Sequence, residues 1–239
     1  MGARYLRDNA GILIKLICGK WKTPSESLTT SLREGFLISF THHSEGDLLC
    51  TRLLLSDSRL YKLLLRLDED LAAQVKAIGC FCGGRLDSAR YRRKPRGLPD
   101  GLDDDYGRRY SFCCAKEGCR RRTTPPSVRF LGRKVFVSAV VVLVAALRHG
   151  PIPTRIAKLR ELVGVSVRTV NRWRLWWQET FVQTPFWKGA RGFLRVPVDE
   201  SSLPLSLLES FPVDKAESKL LRLLRFICPL STSPPRQGF

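Results

Sequence analysis

Five of the eight cysteines in this chain fall within forty residues, at Cys80, Cys82, Cys113, Cys114 and Cys119. Their flanks are rich in Gly, Arg and Asp, so they have no apolar run to join as small core hydrophobes. The N-terminus is a poor secretory leader. Arg4 and Arg7 precede an apolar run that Lys15 breaks, and no small-residue cleavage site follows. The expected compartment is therefore reducing, and thiols clustered there point to a metal rather than to disulfides.

Tetrahedral zinc takes four thiolates, usually as two close pairs. Cys80 with Cys82 and Cys114 with Cys119 form such pairs. Cys113 is left over, and it fits in place of Cys114 only at a looser spacing. Gly83 and Gly84 suit the tight turn of a metal knuckle, and backbone N–H groups there can donate to thiolate. The reading is one structural zinc on Cys80, Cys82, Cys114 and Cys119. A catalytic zinc would want an open position and His or carboxylate ligands, yet His42, His43 and His149 all lie outside the cluster.

The formal charge of +19 is concentrated around these cysteines. Residues 80–195 hold 25 of the 41 Lys and Arg but 8 of the 22 Asp and Glu. A one-sided basic field of this size suits a polyanion, since each neutralised phosphate releases counterions. Arg120, Arg121 and Arg122 directly follow the last cysteine, and Arg92 and Arg93 lie in the same segment. Guanidinium groups pair with phosphate bidentately. A membrane role is excluded, because the apolar run 137–147 is half a span in length and reads as a buried helix.

The chain divides into five stretches. Residues 1–50 lack a sustained period and are expected to be poorly ordered. Residues 51–78 carry leucines at helical steps, and Asp68, Glu69 and Asp70 resemble the first turn of a second helix. Residues 79–132 form a zinc-ribbon-like module, with 92–109 an exposed loop or hairpin. Residues 133–195 form the helix-turn-helix domain, helical over 133–182. Residues 196–239 are Leu- and Pro-rich, with one docking helix over 214–227 and a disordered tail. The predicted fold is mainly α, with a small zinc-ribbon β module and a three-helix helix-turn-helix domain.

Within 133–195, a first helix runs to about Gly150, a second spans PTRIAKLRELV, and GVS is a tight turn with Ser166 as N-cap of a third. In that third helix Val170, Trp173, Trp177 and Phe181 make a buried stripe. Arg168, Asn171 and Arg172 then face outward, and such a face can reach base edges, Arg pairing with guanine and Asn with adenine.

Ile156-Ala157, Val163-Gly164-Val165-Ser166, Thr169-Val170 and Arg172-Trp173 resemble the helix-turn-helix signature of bacterial transposases and resolvases. Ala157 precedes Gly164 by seven residues where that family usually has four, so the second helix is nearly a turn longer. A Cys-rich ribbon followed by this motif is similar to the recognition region of insertion-sequence transposases. The resemblance covers roughly 79–195. It implies a cytoplasmic, nucleoid-associated protein that binds double-stranded DNA. A separate transposase or recombinase subunit and a second copy of the chain are compatible partners.

Transposases of that kind need three carboxylates on an RNase H-like domain, and 46 residues after Phe193 leave no room for one. Asp103, Asp104 and Asp105 read as a charge run. The chain is expected to have no catalytic site of its own. Two rivals stand beside this reading. One is an RNA-binding ribbon protein stacking bases on Tyr91, Tyr106 and Tyr110. The other is a nuclease or transposase with an unrecognised site.

Overall fold

The computed structural model describes residues 52–132, 134–147 and 152–232, and its architecture is mainly helical with two small antiparallel sheets. The expectation for residues 1–50 lies outside the described residues.

Helix α1 (Ser58–Ile78) starts at Asp57, whose carboxylate accepts from the Arg59 N–H at 2.9 Å. Leu60, Tyr61, Leu64 and Leu67 recur at helical steps and are buried. The acidic run does not open a second helix. α1 passes through it unbroken, with Asp68 turned fully inside and Glu69 and Asp70 exposed. A buried carboxylate is tolerated because Arg129 meets it, a partner 61 residues away that no helical period reveals. Gly79 ends the helix at φ +82°, its N–H donating to the Val75 carbonyl.

Next come β1 (Leu86–Ser88), β2 (Tyr91–Arg92), β3 (Arg108–Arg109), β4 (Phe112–Cys114) and β5 (Arg122–Thr123). β4 lies between β1 and β5 in one antiparallel sheet, and β2 pairs with β3 in the other. The expected exposed loop over 92–109 is therefore held at both ends. Tyr106 and Arg109 are buried, and the Arg93 N–H donates to the Gly107 carbonyl.

Helix α2 (Ser138–Ala145) is buried on every side, as an all-apolar sequence requires. It packs against α4 (Val167–Leu175) and against the C-terminal helix α7 (Ala216–Ile227). Arg174 of α4 donates to the carbonyls of Ala145 and Leu147, satisfying acceptors that the end of α2 leaves open. Between them in sequence is α3 (Pro153–Val163), with Pro153 in its first turn. After α4 come a π-helical turn (Trp176–Phe181), α5 (Pro185–Ala190) and α6 (Leu205–Glu209).

One hydrophobic core runs from Leu54 to Cys228, joining α1, α2, α3, α4 and α7, and it takes in Tyr106, Val128 and Leu131 from the central segment. A second cluster joins Ala72 of α1 to Leu86, Tyr110, Phe112, Cys80 and Cys114. The cysteines do have a core, built by strands too short to show a period in sequence. The C-terminal segment also departs from expectation. A 3-10 turn (Cys228–Ser231) packs back, and its buried Ser231 hydroxyl accepts from the Ser127 N–H at 2.8 Å. Residues 233–239 lie outside the described residues.

Candidate metal centre and nucleic-acid face

The turn after α1 carries Cys80 and Cys82, and the β4 end with its following turn carries Cys114 and Cys119. The Cys80 N–H donates to the Gly84 carbonyl, and the Gly83 N–H to the Cys80 carbonyl, which closes the first turn tightly. Antiparallel pairing of Leu86 with Cys114 brings the two turns together. The four Sγ atoms all lie within 4.8 Å of one another. Cys82 and Cys114 are 3.5 Å apart, and Cys80 and Cys119 are 3.8 Å apart. These separations are too long for a disulfide, where the sulfurs sit about 2.05 Å apart. They suit a shared ion: tetrahedral thiolates about 2.3 Å from zinc stand about 3.8 Å from each other. Four cysteines that could hold a metal ion are thus assembled by the fold.

Outer donors surround the sulfurs. The Lys116 N–H donates to Cys114 Sγ at 3.4 Å. The Gly84 N–H acts on Cys82, the largest of the effects that draw its thiol down to about 7. Backbone donors of this kind stabilise the negative sulfur that a cation needs. Gly84 is also a steric requirement, since a Cβ there would stand 2.7 Å from Cys114 Sγ and 3.3 Å from Cys82 Sγ.

Cys113 takes no part in the cluster. Side chains alternate along a strand, so while Cys114 points to the sulfurs Cys113 points away. Its Sγ lies 3.6 Å from the Arg120 carbonyl. The alternative ligand is eliminated by strand direction, which the spacing alone left open. The three histidines lie outside the described residues.

The predicted basic residues separate into two kinds. Arg120, Arg121 and Arg122 are exposed, Arg120 at φ +42° in the turn leaving the site. Arg92 is exposed and pairs with Asp104 at 3.3 Å, a surface contact of little energetic weight. Arg93 is different. It donates to the carbonyls of Gly132 and Lys134 at 2.9 and 3.0 Å and lies over the Phe130 ring. Its guanidinium braces a loop through these two carbonyls.

On the helical side, Gly164 closes α3 in the left-handed region (φ +67°), its N–H donating to Arg160. The Ser166 hydroxyl then accepts from the Thr169 N–H at 3.3 Å and starts α4. Val170, Trp173, Trp177 and Phe181 are buried, and Arg168, Asn171 and Arg172 are exposed. The π-helical turn keeps Trp177 and Phe181 facing inward where α4 continues.

Several acids have structural partners. Asp103 caps a 3-10 turn, Asp105 meets Arg108 at 3.1 Å, and Glu200 accepts from Trp187 and Arg191. Of the tyrosines proposed for stacking, Tyr106 and Tyr110 are buried and Tyr91 is exposed. The apolar face of α7 is covered by this chain's own α2 and α6. No buried cation was foreseen in sequence, yet Arg109 and Arg129 are both inside. Their signal was weak: two basic residues in a segment already crowded with arginine.

Among the described residues no helix is long and apolar enough to cross a membrane. No family model, no curated protein and no solved structure matches this chain.

Proposed function

We propose that this chain is a sequence-preferring double-stranded DNA-binding protein, derived from a transposase recognition region and acting without catalysis of its own. The observation that carries this reading is the outer face of α4. Arg168, Asn171 and Arg172 are exposed there, no carboxylate pairs with them among the described residues, and the opposite face is anchored in the core by Trp173 and Trp177. A rigid helix with a free Arg/Asn/Arg face is suited to base edges in a major groove. The tight turn between α3 and α4 supports a helix-turn-helix, and Arg120, Arg121 and Arg122 would contact phosphate, positioning rather than specifying.

Four converging thiols favour zinc, a soft-ligand structural site, over harder cations. Cys80, Cys82, Cys114 and Cys119 would hold it in a zinc-ribbon-like module. The ion would supply a cross-link between the two turns, which the small second core needs because short strands bury little surface.

The test is selection from a random duplex pool with the full chain, followed by competition. One duplex sequence is expected to be enriched and to outcompete RNA hairpins and single strands of the same sequence. Preference for RNA would favour the RNA-binding alternative, and metal-dependent nicking of plasmid DNA would favour the nuclease.

A further inference from the structure

Beside α4 lies a cavity of about 610 Å³, between Thr169 and Arg172 of the helix, Trp176 of the π-helical turn, and Leu131, Gly132, Lys134, Val135 and Phe136. Among the described residues three cations line it, Arg96, Lys134 and Arg172, and no acidic residue does. Among the described residues none of the three is in an ion pair. Like charges gathered without a counter-ion disfavour one another, and an anion between them removes that cost. Lys134 shows the effect: burial, and after it the charge of Arg172, hold its pKa below the usual lysine range.

The backbone that carries the cations is held in place. The Arg96 N–H donates to the Val135 carbonyl at 3.0 Å, and the Val137 N–H to the Arg96 carbonyl at 3.2 Å. Arg93 fixes the backbone of Gly132 and Lys134 from behind. Arg172 rides on α4. The remaining walls are apolar, aromatic at Phe136, Trp173 and Trp176 and aliphatic at Leu131, Val135 and Leu230. Trp176 lies under the Lys134 ammonium at 4.5 Å, and Phe136 sits edge-on to Trp173 at 5.1 Å.

We propose that this cleft binds a nucleotide, its phosphate held by Arg96, Lys134 and Arg172 and its base against the aromatic wall of Trp176 and Phe136. A lone phosphate would use the cations and leave the rings and most of the volume empty. A neutral aromatic ligand would leave three positive charges unanswered. A nucleotide satisfies both halves, and pockets of roughly 300–1,000 Å³ accommodate molecules of its size. The nucleotide has two sources, a free mononucleotide or an unpaired nucleotide at the end of a strand. The inference is independent of duplex reading, although Arg172 borders both surfaces.

The test titrates the full chain with adenosine 5′-monophosphate, adenosine and inorganic phosphate, followed by calorimetry and tryptophan fluorescence. The monophosphate is expected to saturate the protein and to bind at least about tenfold more tightly than either part alone. Arg96→Gln and Lys134→Gln should each weaken it by about tenfold, the loss of one charge-assisted hydrogen bond, with an unchanged melting temperature. Arg96 is exposed and holds its neighbours through its backbone, so its variant stays folded. Equal binding of inorganic phosphate, no saturable binding, or unaltered affinity in both variants overturns the proposal. A duplex with a single unpaired, 5′-phosphorylated adenosine separates the sources. Tighter binding than the free monophosphate assigns the cleft to strand ends, and weaker or equal binding assigns it to a soluble nucleotide. A blunt duplex, measured in parallel, reports on duplex binding separately.

Discussion

Arg129 and Asp68 form a fully buried ion pair, Nε to Oδ2 at 2.8 Å, between α1 and the segment that leaves the cysteine-bearing sheet. The pair is completed on both sides. Asp68 also accepts from the Ser127 hydroxyl and, at 2.7 Å, from the Val128 N–H. Arg129 also donates to the carbonyls of Tyr106 and Arg108. Asp68→Asn would strand a buried guanidinium and is expected to lower unfolding free energy by about 3–5 kcal/mol. Asp68→Leu combined with Arg129→Met should recover much of that loss, because no uncompensated charge remains. Chemical denaturation of the three proteins measures it, and equal stability of Asp68→Asn and wild type would show that the pair is dispensable.

Adjacent glycines at the first knuckle should behave differently. A Cβ on Gly83 meets nothing within 4 Å but sits at φ +75°, so Gly83→Ala should cost about 1–2 kcal/mol of backbone strain and keep the metal. A Cβ on Gly84 collides with Cys114 Sγ and crowds Cys82 Sγ. Gly84→Ala should therefore lose metal affinity. Metal analysis of both purified variants decides it, and retention of metal by Gly84→Ala would remove the steric argument.

Neighbouring cysteines separate in the same way. Wild type should carry about one equivalent of zinc, held by four thiolates. Cys114→Ser should abolish it, whereas Cys113→Ser, altered on the opposite face of β4, should retain it. Elemental analysis and protease resistance in chelator report the outcome. Metal loss in Cys113→Ser would mean that β4 presents the other face.

Function and stability should part company on α4. Alanine at Arg168, Asn171 or Arg172 should leave the fold intact and cost roughly 1–3 kcal/mol of discrimination between preferred and random duplex. Trp173→Ala should instead cost roughly 3–5 kcal/mol of stability through the cavity it opens. Removing Arg120, Arg121 and Arg122 together should weaken binding to every duplex and flatten its salt dependence by about one unit of slope per lost phosphate contact. A changed sequence preference in that triple variant would show that those arginines read bases.

Alkaline pH should destabilise the protein through Cys228. Burial pushes this thiol from 9.0 up to about 12. A raised folded-state pKa means that the stabilisation is complete below pH 9.0 and is lost as pH rises towards about 12, since only the unfolded chain ionises readily. Cys228→Ala should flatten the fall in melting temperature over that window. An unchanged slope would place the alkaline sensitivity elsewhere, with the buried Tyr61, whose pKa is also raised by burial, the next group to remove.

Much of the helical half was legible because the information is local. Pro153, Gly164 and Ser166 mark boundaries through backbone preferences that act within a turn, and the Val170–Trp173–Trp177–Phe181 stripe declares its inward face by period alone. The four cysteines were legible for a similar reason, since pairs of soft ligands are rare outside metal sites.

What the tertiary structure decided depends on residues far apart in the chain. Whether Cys113 or Cys114 joins the cluster follows from the register of β4 on β1, in which Leu86 stands opposite Cys114. Asp68 reads as a helix start until Arg129 meets it inside the core. Arg93, one of many arginines in sequence, becomes a brace because Gly132 and Lys134 present carbonyls to it. The cleft beside α4 draws its three cations from positions 96, 134 and 172. Period and propensity act over a few residues, whereas the burial of a charge is decided by whichever distant group arrives to compensate it.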